Sequence, residues 1–140
     1  MLSPLDVAVK LIGQQTVPVP LKPHSKQPIV PGWQQLRCDT PNLLHYFQSG
    51  EVNVGVLLGE PSNGLVDVDL DRPEAVRAAK LLLPATPMTW GRPSLGAATH
   101  YGYRVSDPPA KATLKFIGPG NEHLVELRST GGQTLIYGHY

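Results

Sequence analysis

Proline and glycine together make up more than a fifth of the 140 residues. Proline lacks the backbone N–H that a helix interior needs, and glycine loses more conformational entropy on folding than any other residue. Long uninterrupted helices are therefore excluded, and short elements joined by turns are favoured. Because 41% of the residues are hydrophobic and 16% are charged, the chain can still bury a core. We expect a single compact α+β domain, rich in strands, over residues 1–140.

Charge and cysteine content limit the partners and the compartment. A formal net charge of +1 gives no general attraction to phosphate backbones, so any nucleic-acid contact must come from local clusters of Lys and Arg. The single Cys38 permits no internal disulfide and no structural zinc site. No apolar stretch approaches the ~20 residues that cross a bilayer, and Asp6 stands where a signal peptide would be basic. We expect a cytoplasmic protein with no membrane partner.

Three segments carry the signals of short helices. Ser3 is a suitable N-cap, Pro4 occupies the first helical position, and Gly13 ends the apolar pattern that follows. Two further helices are predicted over residues 40–47 and 73–83 by the same kinds of signal.

Strand signals dominate the rest of the chain. Residues 17–21 form a strand whose two prolines place it at a sheet edge, because proline cannot donate to a neighbouring strand. Residues 53–58 and 65–70 flank a turn at 59–64, which predicts a β-hairpin. Further strands are predicted at residues 86–90, 97–105, 113–117, 123–128 and 134–137.

Asp67 and Asp69 are the first candidates for a functional site. In a strand, residues two apart project to the same face, so these two carboxylates stand side by side. Two anions so placed repel each other, and a hard divalent cation such as Mg²⁺, which prefers oxygen ligands, resolves the conflict. Taken alone, the pattern also fits the solvated outer face of an edge hairpin.

Two further acids are placed near this pair. Asp71 lies on the same face if the strand persists, but its spacing to Glu74 is that of a capping box, which favours a helix cap over a ligand. Glu126, on the strand at 123–128, would complete a three-carboxylate site. On spacing alone, a cross-strand salt bridge to Arg128 or another base is favoured for Glu126.

Basic and small residues supply candidate contacts to phosphate. His100 is followed by Gly102, which leaves room for a bulky ligand near the backbone, although a histidine hydrogen-bonded within the sheet is the alternative. Lys26 lies in a proline-bounded loop, and Arg92 and Ser94 lie in a glycine-bounded turn; each fits ordinary loop surface equally well. The nucleotide-binding candidates are His100, Lys26, Arg92, Ser94 and Arg128.

Several familiar site patterns are absent from the sequence. It contains no P-loop, no nucleophile elbow and no dinucleotide-binding glycine motif, so these classes of ATPase, serine hydrolase and dehydrogenase have no support. The histidines show no ligand spacing with Cys38, which argues against a zinc or iron centre.

The motifs follow one another in a specific order. They are PLKPHSKQP at 20–28 with Gly32-Trp33, NVGV at 53–56 with Gly59, Asp67-Val68-Asp69, Thr99-His100, and VELR at 125–128 followed by Gly131-Gly132. This order resembles the bifunctional DNA primase/polymerase N-terminal domain of the archaeo-eukaryotic primase superfamily. The resemblance spans most of the chain.

The resemblance implies a fold and a set of roles. The fold is an N-terminal αβ unit packed on a mostly antiparallel RRM-like or ferredoxin-like sheet, with the active-site cleft between them. In this family an acidic pair and a later acid bind the catalytic metals, and a histidine contacts the incoming nucleotide. By position, these roles fall on Asp67, Asp69, Glu126 and His100, and the implied ions are Mg²⁺ or Mn²⁺.

The implied activity is template-directed nucleotidyl transfer by a two-metal mechanism, in replication of a chromosome, plasmid or phage-like element. Its substrates would be a DNA template or primer and nucleoside triphosphates, and the chain is expected to be cut from a longer protein with a helicase domain or partner downstream. Two alternatives remain: a non-catalytic nucleic-acid-binding module of the same fold, and a metal-dependent nuclease or phosphohydrolase.

Overall fold

A computed structural model describes residues 1–91 and 98–140. Arg92 and Ser94, two of the nucleotide-binding candidates, lie outside the described residues. Within these two ranges the α-helices are α1 Pro4–Gly13, α2 Leu43–Phe47 and α3 Pro73–Leu82. Short 3₁₀ helices lie at Trp33–Gln35, Thr40–Asn42 and Glu60–Ser62. The strands are β1 Pro18–Leu21, β2 Asn53–Leu57, β3 Leu65–Leu70, β4 Thr89–Trp90, β5 His100–Arg104, β6 Thr113–Ile117, β7 His123–Arg128 and β8 Gln133–Tyr137.

Helix α1 begins as its sequence predicts. The Ser3 hydroxyl accepts a hydrogen bond from the backbone N–H of Asp6 at 3.1 Å, and the Asp6 carboxylate accepts one from the backbone N–H of Ser3 at 2.9 Å. This reciprocal pair satisfies two N–H groups that the helix itself leaves unbonded. Pro4 follows at the first helical position.

The strands form two antiparallel sheets. One has the order β1-β2-β8, and the other has the order β4-β5-β3-β7-β6. Strand β1 lies at the edge of its sheet, as its prolines predict. Together with the helices, this confirms the α+β class and the mostly antiparallel sheet.

The predicted hairpin of β2 and β3 is wrong. The two strands lie in different sheets and share only an isolated bridge between Gly59 and Leu65. The reason is that each strand has two edges and both are already used, since β2 lies between β1 and β8 while β3 lies between β5 and β7. Gly59 and Gly64, with φ of +77° and +74°, give the backbone turn that separates the strands.

Apolar packing holds the helices to the sheets. On the N-terminal side, α1 and α2 pack on β2, and α3 packs on the five-stranded sheet through Leu70, Val76 and Ala79. Burial, with a contribution from Asp39, raises the pKa of the Cys38 thiol to about 11. Within the two described ranges, no helix has the length and apolar character needed to span a membrane. The core under α1 and α2 consists of Ala8, Cys38, Leu43, Phe47 and Val54.

Arg104, at the end of β5, forms hydrogen bonds that link the five-stranded sheet to the N-terminal segment. Its guanidinium donates to the backbone oxygen of Gln14 at 2.7 Å and to the hydroxyl of Thr16 at 2.8 Å, and it also reaches the backbone oxygen of Ser62. These acceptors lie just after α1 and in the turn between β2 and β3. Arg104 therefore connects the five-stranded sheet to the segment after α1 and to the turn between β2 and β3.

Candidate active site

Strand register brings the predicted acids together on the five-stranded sheet. In an antiparallel sheet, residues directly opposite each other project to the same face, with Cβ atoms ~4.5–5.5 Å apart. Asp69 lies opposite Glu126 on β7 and opposite His100 on β5. One row across all five strands therefore reads Trp90, His100, Asp69, Glu126 and Lys115.

Asp67 belongs to the neighbouring row on the same face. It lies opposite Gly102 on β5 and Arg128 on β7. Since Asp67 and Asp69 are two apart on one strand, the two rows share their outward direction. Four of the predicted site residues, two acids on β3 and the pair on β7, thus occupy adjacent positions of one sheet face.

The aspartates are buried. Asp67 is 0% exposed and Asp69 is 4% exposed, because β3 is the central strand of its sheet. The alternative interpretation, a solvated face of an edge hairpin, is wrong. Buried carboxylates need partners or a cation, because the charged form is costly to remove from water.

His100 is one of these partners. Its Nδ1 lies 3.1 and 3.0 Å from the two carboxylate oxygens of Asp67, and its Nε2 lies 3.6 Å from Oδ1 of Asp69. When the Asp67 carboxylate is ionised it can only accept, and the donor is then the Nδ1–H of His100. The imidazole, 6% exposed, is therefore held between the two aspartates.

The pKa of Asp69 is set mainly by burial and then by the charged groups around it. Burial raises the pKa of Asp69; the His100 side chain opposes this, while Asp67 and Asp71 raise the pKa further and Arg128 lowers it. Arg128 Nη1 lies 3.8 Å from Asp69 Oδ2. The pairing predicted between Glu126 and Arg128 is thus replaced by a long contact between Arg128 and Asp69.

Glu126 makes salt bridges of its own. Its Oε1 lies 3.7 Å from the Lys115 Nζ on β6 and 3.6 Å from Nδ1 of His123. The cross-strand salt bridge that spacing favours is therefore present, with Lys115 as the base. The Lys115 side chain is 50% exposed and the Glu126 side chain 18% exposed, so solvent at the lysine end screens this long contact.

Asp71 is not a helix cap. Arg72, not Asp71, is the N-cap of α3, and the N-cap makes no side-chain hydrogen bond to the helix, so the capping-box prediction is wrong. Instead, Asp71, His123 and Glu126 offer ligand atoms that all lie within 4.8 Å of one another, close enough to hold a cation. Sequence reasoning missed His123 as a ligand, because it lies three positions before Glu126 and simple alternation places the two side chains on opposite faces.

A cavity of about 650 Å³ opens beside the sheet face, between β8 and the five-stranded sheet. Three of the nucleotide-binding candidates line it, Lys26, His100 and Arg128, and so does Trp90. The three carboxylates are not among its described lining residues, but His100 lines it and contacts Asp67 directly. The cavity thus carries basic side chains.

Asn53 forms hydrogen bonds to two segments beside this cavity, the loop that carries Lys26 and the residues after β8. Its amide donates to the backbone oxygens of Ser25 at 3.1 Å and His139 at 2.6 Å, and its Oδ1 accepts from the His139 N–H at 3.2 Å. Gln133 in turn donates to the backbone oxygen of Lys26 at 2.9 Å. The loop that carries Lys26 is therefore fixed on both sides of that residue. Sequence reasoning missed both amides, whose roles depend on contacts between distant segments.

The profile of the family "Bifunctional DNA primase/polymerase, N-terminal" matches residues 8–139. The chain belongs to this family. The resemblance inferred from the order of the motifs is thereby confirmed, and the primase/polymerase family gives the chain a nucleotidyltransferase-type function with nucleotide and nucleic-acid substrates. A search of the curated proteins found no match.

Primase/polymerase domains are generally metal-dependent, and the acids of this chain fit a divalent cation. Asp67, Asp69 and Glu126 offer the oxygen donors that Mg²⁺ and Mn²⁺ prefer. Burial is the main cause of the raised pKa of Asp69, and the nearby Asp67 and Asp71 add to it. A bound cation would offset both effects, because it stabilises the charged form of the carboxylates. Asp71 and His123 extend the same set of donors beside Glu126.

One expectation for this primase/polymerase domain is wrong, and one residue beside the site was not predicted. The room expected beside Gly102 does not receive a ligand, because a Cβ there would meet Met88 Cβ and Trp90 Cζ3, each at 3.1 Å. Trp90 is not among the predicted site residues, although it lies directly opposite His100 on the adjacent strand. The sequence pattern could not reveal this, because the contact depends on the β4–β5 register.

Proposed function

We propose that residues 1–140 form one catalytic-core domain that adds nucleotides to a primer or an initiating nucleotide under the direction of a DNA template. In this reaction the 3′-hydroxyl oxygen forms a bond to the α-phosphorus, and pyrophosphate leaves. The observation that carries the proposal is the pairing of Asp69 with Glu126 on adjacent central strands, beside the buried Asp67.

Asp67, Asp69 and Glu126 would hold Mg²⁺ or Mn²⁺. When bound, two such cations activate the attacking 3′-hydroxyl and stabilise the charge on the leaving pyrophosphate. The protein's own part is to keep three carboxylates on one rigid sheet face, so that little reorganisation is needed when the ions arrive. His100 assists by holding the orientation of the Asp67 carboxylate.

The cavity is the proposed binding site for the nucleoside triphosphate. Lys26, His100 and Arg128 line it and can contact phosphate oxygens, with Arg128 offering a planar fork of donors. Arg92 and Ser94 are proposed to add contacts from the segment between β4 and β5. A volume of about 650 Å³ lies within the range of cavities that bind ligands of this size.

The biological setting follows from the same activity. We propose that the domain works with a DNA template and primer in replication of a chromosome, plasmid or phage-like element, with a helicase domain or partner downstream. A net charge of +1 gives the chain no general attraction to DNA, so such a partner would add phosphate contacts.

An extension assay tests the proposal. The protein is incubated with a primed template, labelled nucleotides and Mn²⁺, and compared with Asp67→Ala/Asp69→Ala and with Asp107→Asn, a control on an exposed loop position. Extension that the double variant loses and the control keeps supports polymerisation. Shortening of the strand identifies a nuclease, and binding without turnover identifies a non-catalytic module; either result overturns the proposal.

A further inference from the structure

Trp90 stacks flat on His100. The two ring centroids lie 5.2 Å apart and the ring planes differ by 1°. Trp90 on β4 is directly opposite His100 on β5, so the contact follows from the strand register. The imidazole is thus bounded by Asp67 at one edge and by the indole on one face.

The position of the indole is set by packing. Among the described residues, its buried Nε1 has no hydrogen-bond partner, whereas a buried tryptophan N–H usually finds one. Gly102 makes space for the six-membered ring, since a side chain there would meet Trp90 Cζ3 at 3.1 Å. The face-to-face contact with His100 and the fit over Gly102 therefore determine where the ring lies.

A hydrogen bond at one edge does not fix the plane of a histidine ring. The terminal torsion of histidine is broad, and the 3.6 Å contact of Nε2 with Asp69 Oδ1 is too long for a hydrogen bond. An imidazole hydrogen-bonded only through Nδ1 can therefore rotate about that bond. Swinging would move Nε2 away from Asp69 Oδ1, which lies 3.6 Å from it, and would change what the ring presents to the cavity. A flat aromatic neighbour removes this freedom.

We propose that Trp90 is a positioning residue for nucleotide addition, which fixes the ring plane of His100 so that the imidazole meets the incoming nucleoside triphosphate in one orientation. The kinetic part of this inference rests on the proposed function. The fixed plane of the imidazole is a property of the protein without substrate and can be measured separately.

The kinetic experiment compares Trp90→Leu, Trp90→Phe and Trp33→Leu. Trp33 packs on the apolar cluster of β1 and β2, so its variant controls for loss of an indole from the protein. Trp90→Leu should raise the KM for the nucleotide by about three- to tenfold with kcat nearly unchanged, and Trp90→Phe should restore most of the affinity. A merely structural role would lower the active fraction and kcat while leaving KM as it is, as expected for Trp33→Leu.

A double-mutant cycle with His100→Ala tests whether Trp90 changes the KM through His100. If Trp90 acts through His100, the KM of Trp90→Leu/His100→Ala should equal that of His100→Ala alone. Additive losses, or a KM for Trp90→Leu equal to that of the wild type, overturn the proposal.

An NMR measurement without substrate separates this inference from the proposed function. The ring protons of His100, assigned by their loss in His100→Ala, should lie upfield in the wild type because they sit over the indole face, and should move downfield in Trp90→Leu. Identical shifts in the two proteins overturn the stack whatever the activity. If the wild type instead shows the shift but adds no nucleotide, the proposed function and the kinetic role both fail, and only the fixed ring plane stands.

Discussion

Asp69 and Glu126 lie directly opposite each other on β3 and β7, although α3 and three other strands separate them along the chain. The sheet thus brings together acids that are remote in sequence. Glu126 also contacts Lys115 at 3.7 Å, so a simple salt bridge and a metal ligand are competing descriptions of the same carboxylate.

Paired substitutions distinguish these two descriptions. Glu126→Gln should lower nucleotide addition by more than about 100-fold, because even a residue that only supports a metal ligand is worth about 10–100-fold. Lys115→Gln should leave the rate nearly unchanged and alter the free energy of unfolding by less than about 1 kcal/mol, since the contact is 3.7 Å long and the lysine is half exposed. The assays are single-turnover extension and urea unfolding; equal effects of the two substitutions would show that Glu126 is only a salt-bridge partner.

Divalent cations should stabilise the fold through the same acids. At Mn²⁺ concentrations about 100 times the Kd, the wild type should gain about 2.7 kcal/mol in the free energy of unfolding. Asp67→Asn/Asp69→Asn keeps the side-chain shapes but removes both charges, so its gain should be close to zero. Thermal unfolding with and without Mn²⁺ measures both, and an equal gain in both proteins would place the ion elsewhere.

The stability of the metal-free protein should depend on Asp69. Burial, with the nearby Asp67 and Asp71, raises the pKa of Asp69 above 3.8, although His100 and Arg128 oppose the shift. An acid whose pKa is raised on folding contributes stability that is complete below its unfolded pKa and is lost as the pH rises through its folded pKa. Asp69→Asn cannot ionise, so it does not lose this stability. The free energy of unfolding of Asp69→Asn, measured in urea with EDTA, should therefore rise relative to that of the wild type as the pH rises above about 4. A difference that does not change with pH would contradict the raised pKa.

Gly102 should tolerate no side chain. In Gly102→Ala the new methyl would lie 3.1 Å from both Met88 Cβ and Trp90 Cζ3, and overpacking of this kind costs about 1–3 kcal/mol. Gly13→Ala is the matched control, because nothing lies within 4 Å of its new methyl; it should be neutral or stabilising by up to about 1 kcal/mol. Urea unfolding compares the two, and equal stabilities would mean that the Trp90 ring moves freely.

Local features of the fold could be predicted from the sequence. The start of α1 follows from Ser3, Pro4 and Asp6, which act within one helical turn. The bounds of β6 and β7 match the predicted ranges 113–117 and 123–128. In each case the signal and the structure it predicts lie within a few residues, so no knowledge of distant partners is needed.

Features that depend on distant partners could not be predicted from local patterns. The hairpin of β2 and β3 failed because alternation identifies strands but not the edges they share. Asp71 was misassigned because its spacing to Glu74 resembles a cap, whereas its position beside Glu126 depends on the pairing of β3 with β7. The family resemblance implies a site role for Glu126, but only the strand register shows that it lies opposite Asp69.

The pairing of β2 with β8 also affects how the domain is made. Strand β2 is buried along its whole length, and its second partner is β8, about 80 residues later along the chain. While a ribosome is still synthesising the segment up to Tyr137, the backbone N–H and C=O groups on that edge of β2 stay unpaired. Such an edge can pair with other nascent chains, so yield in cells should depend on translation speed and on chaperones that shield the growing polypeptide.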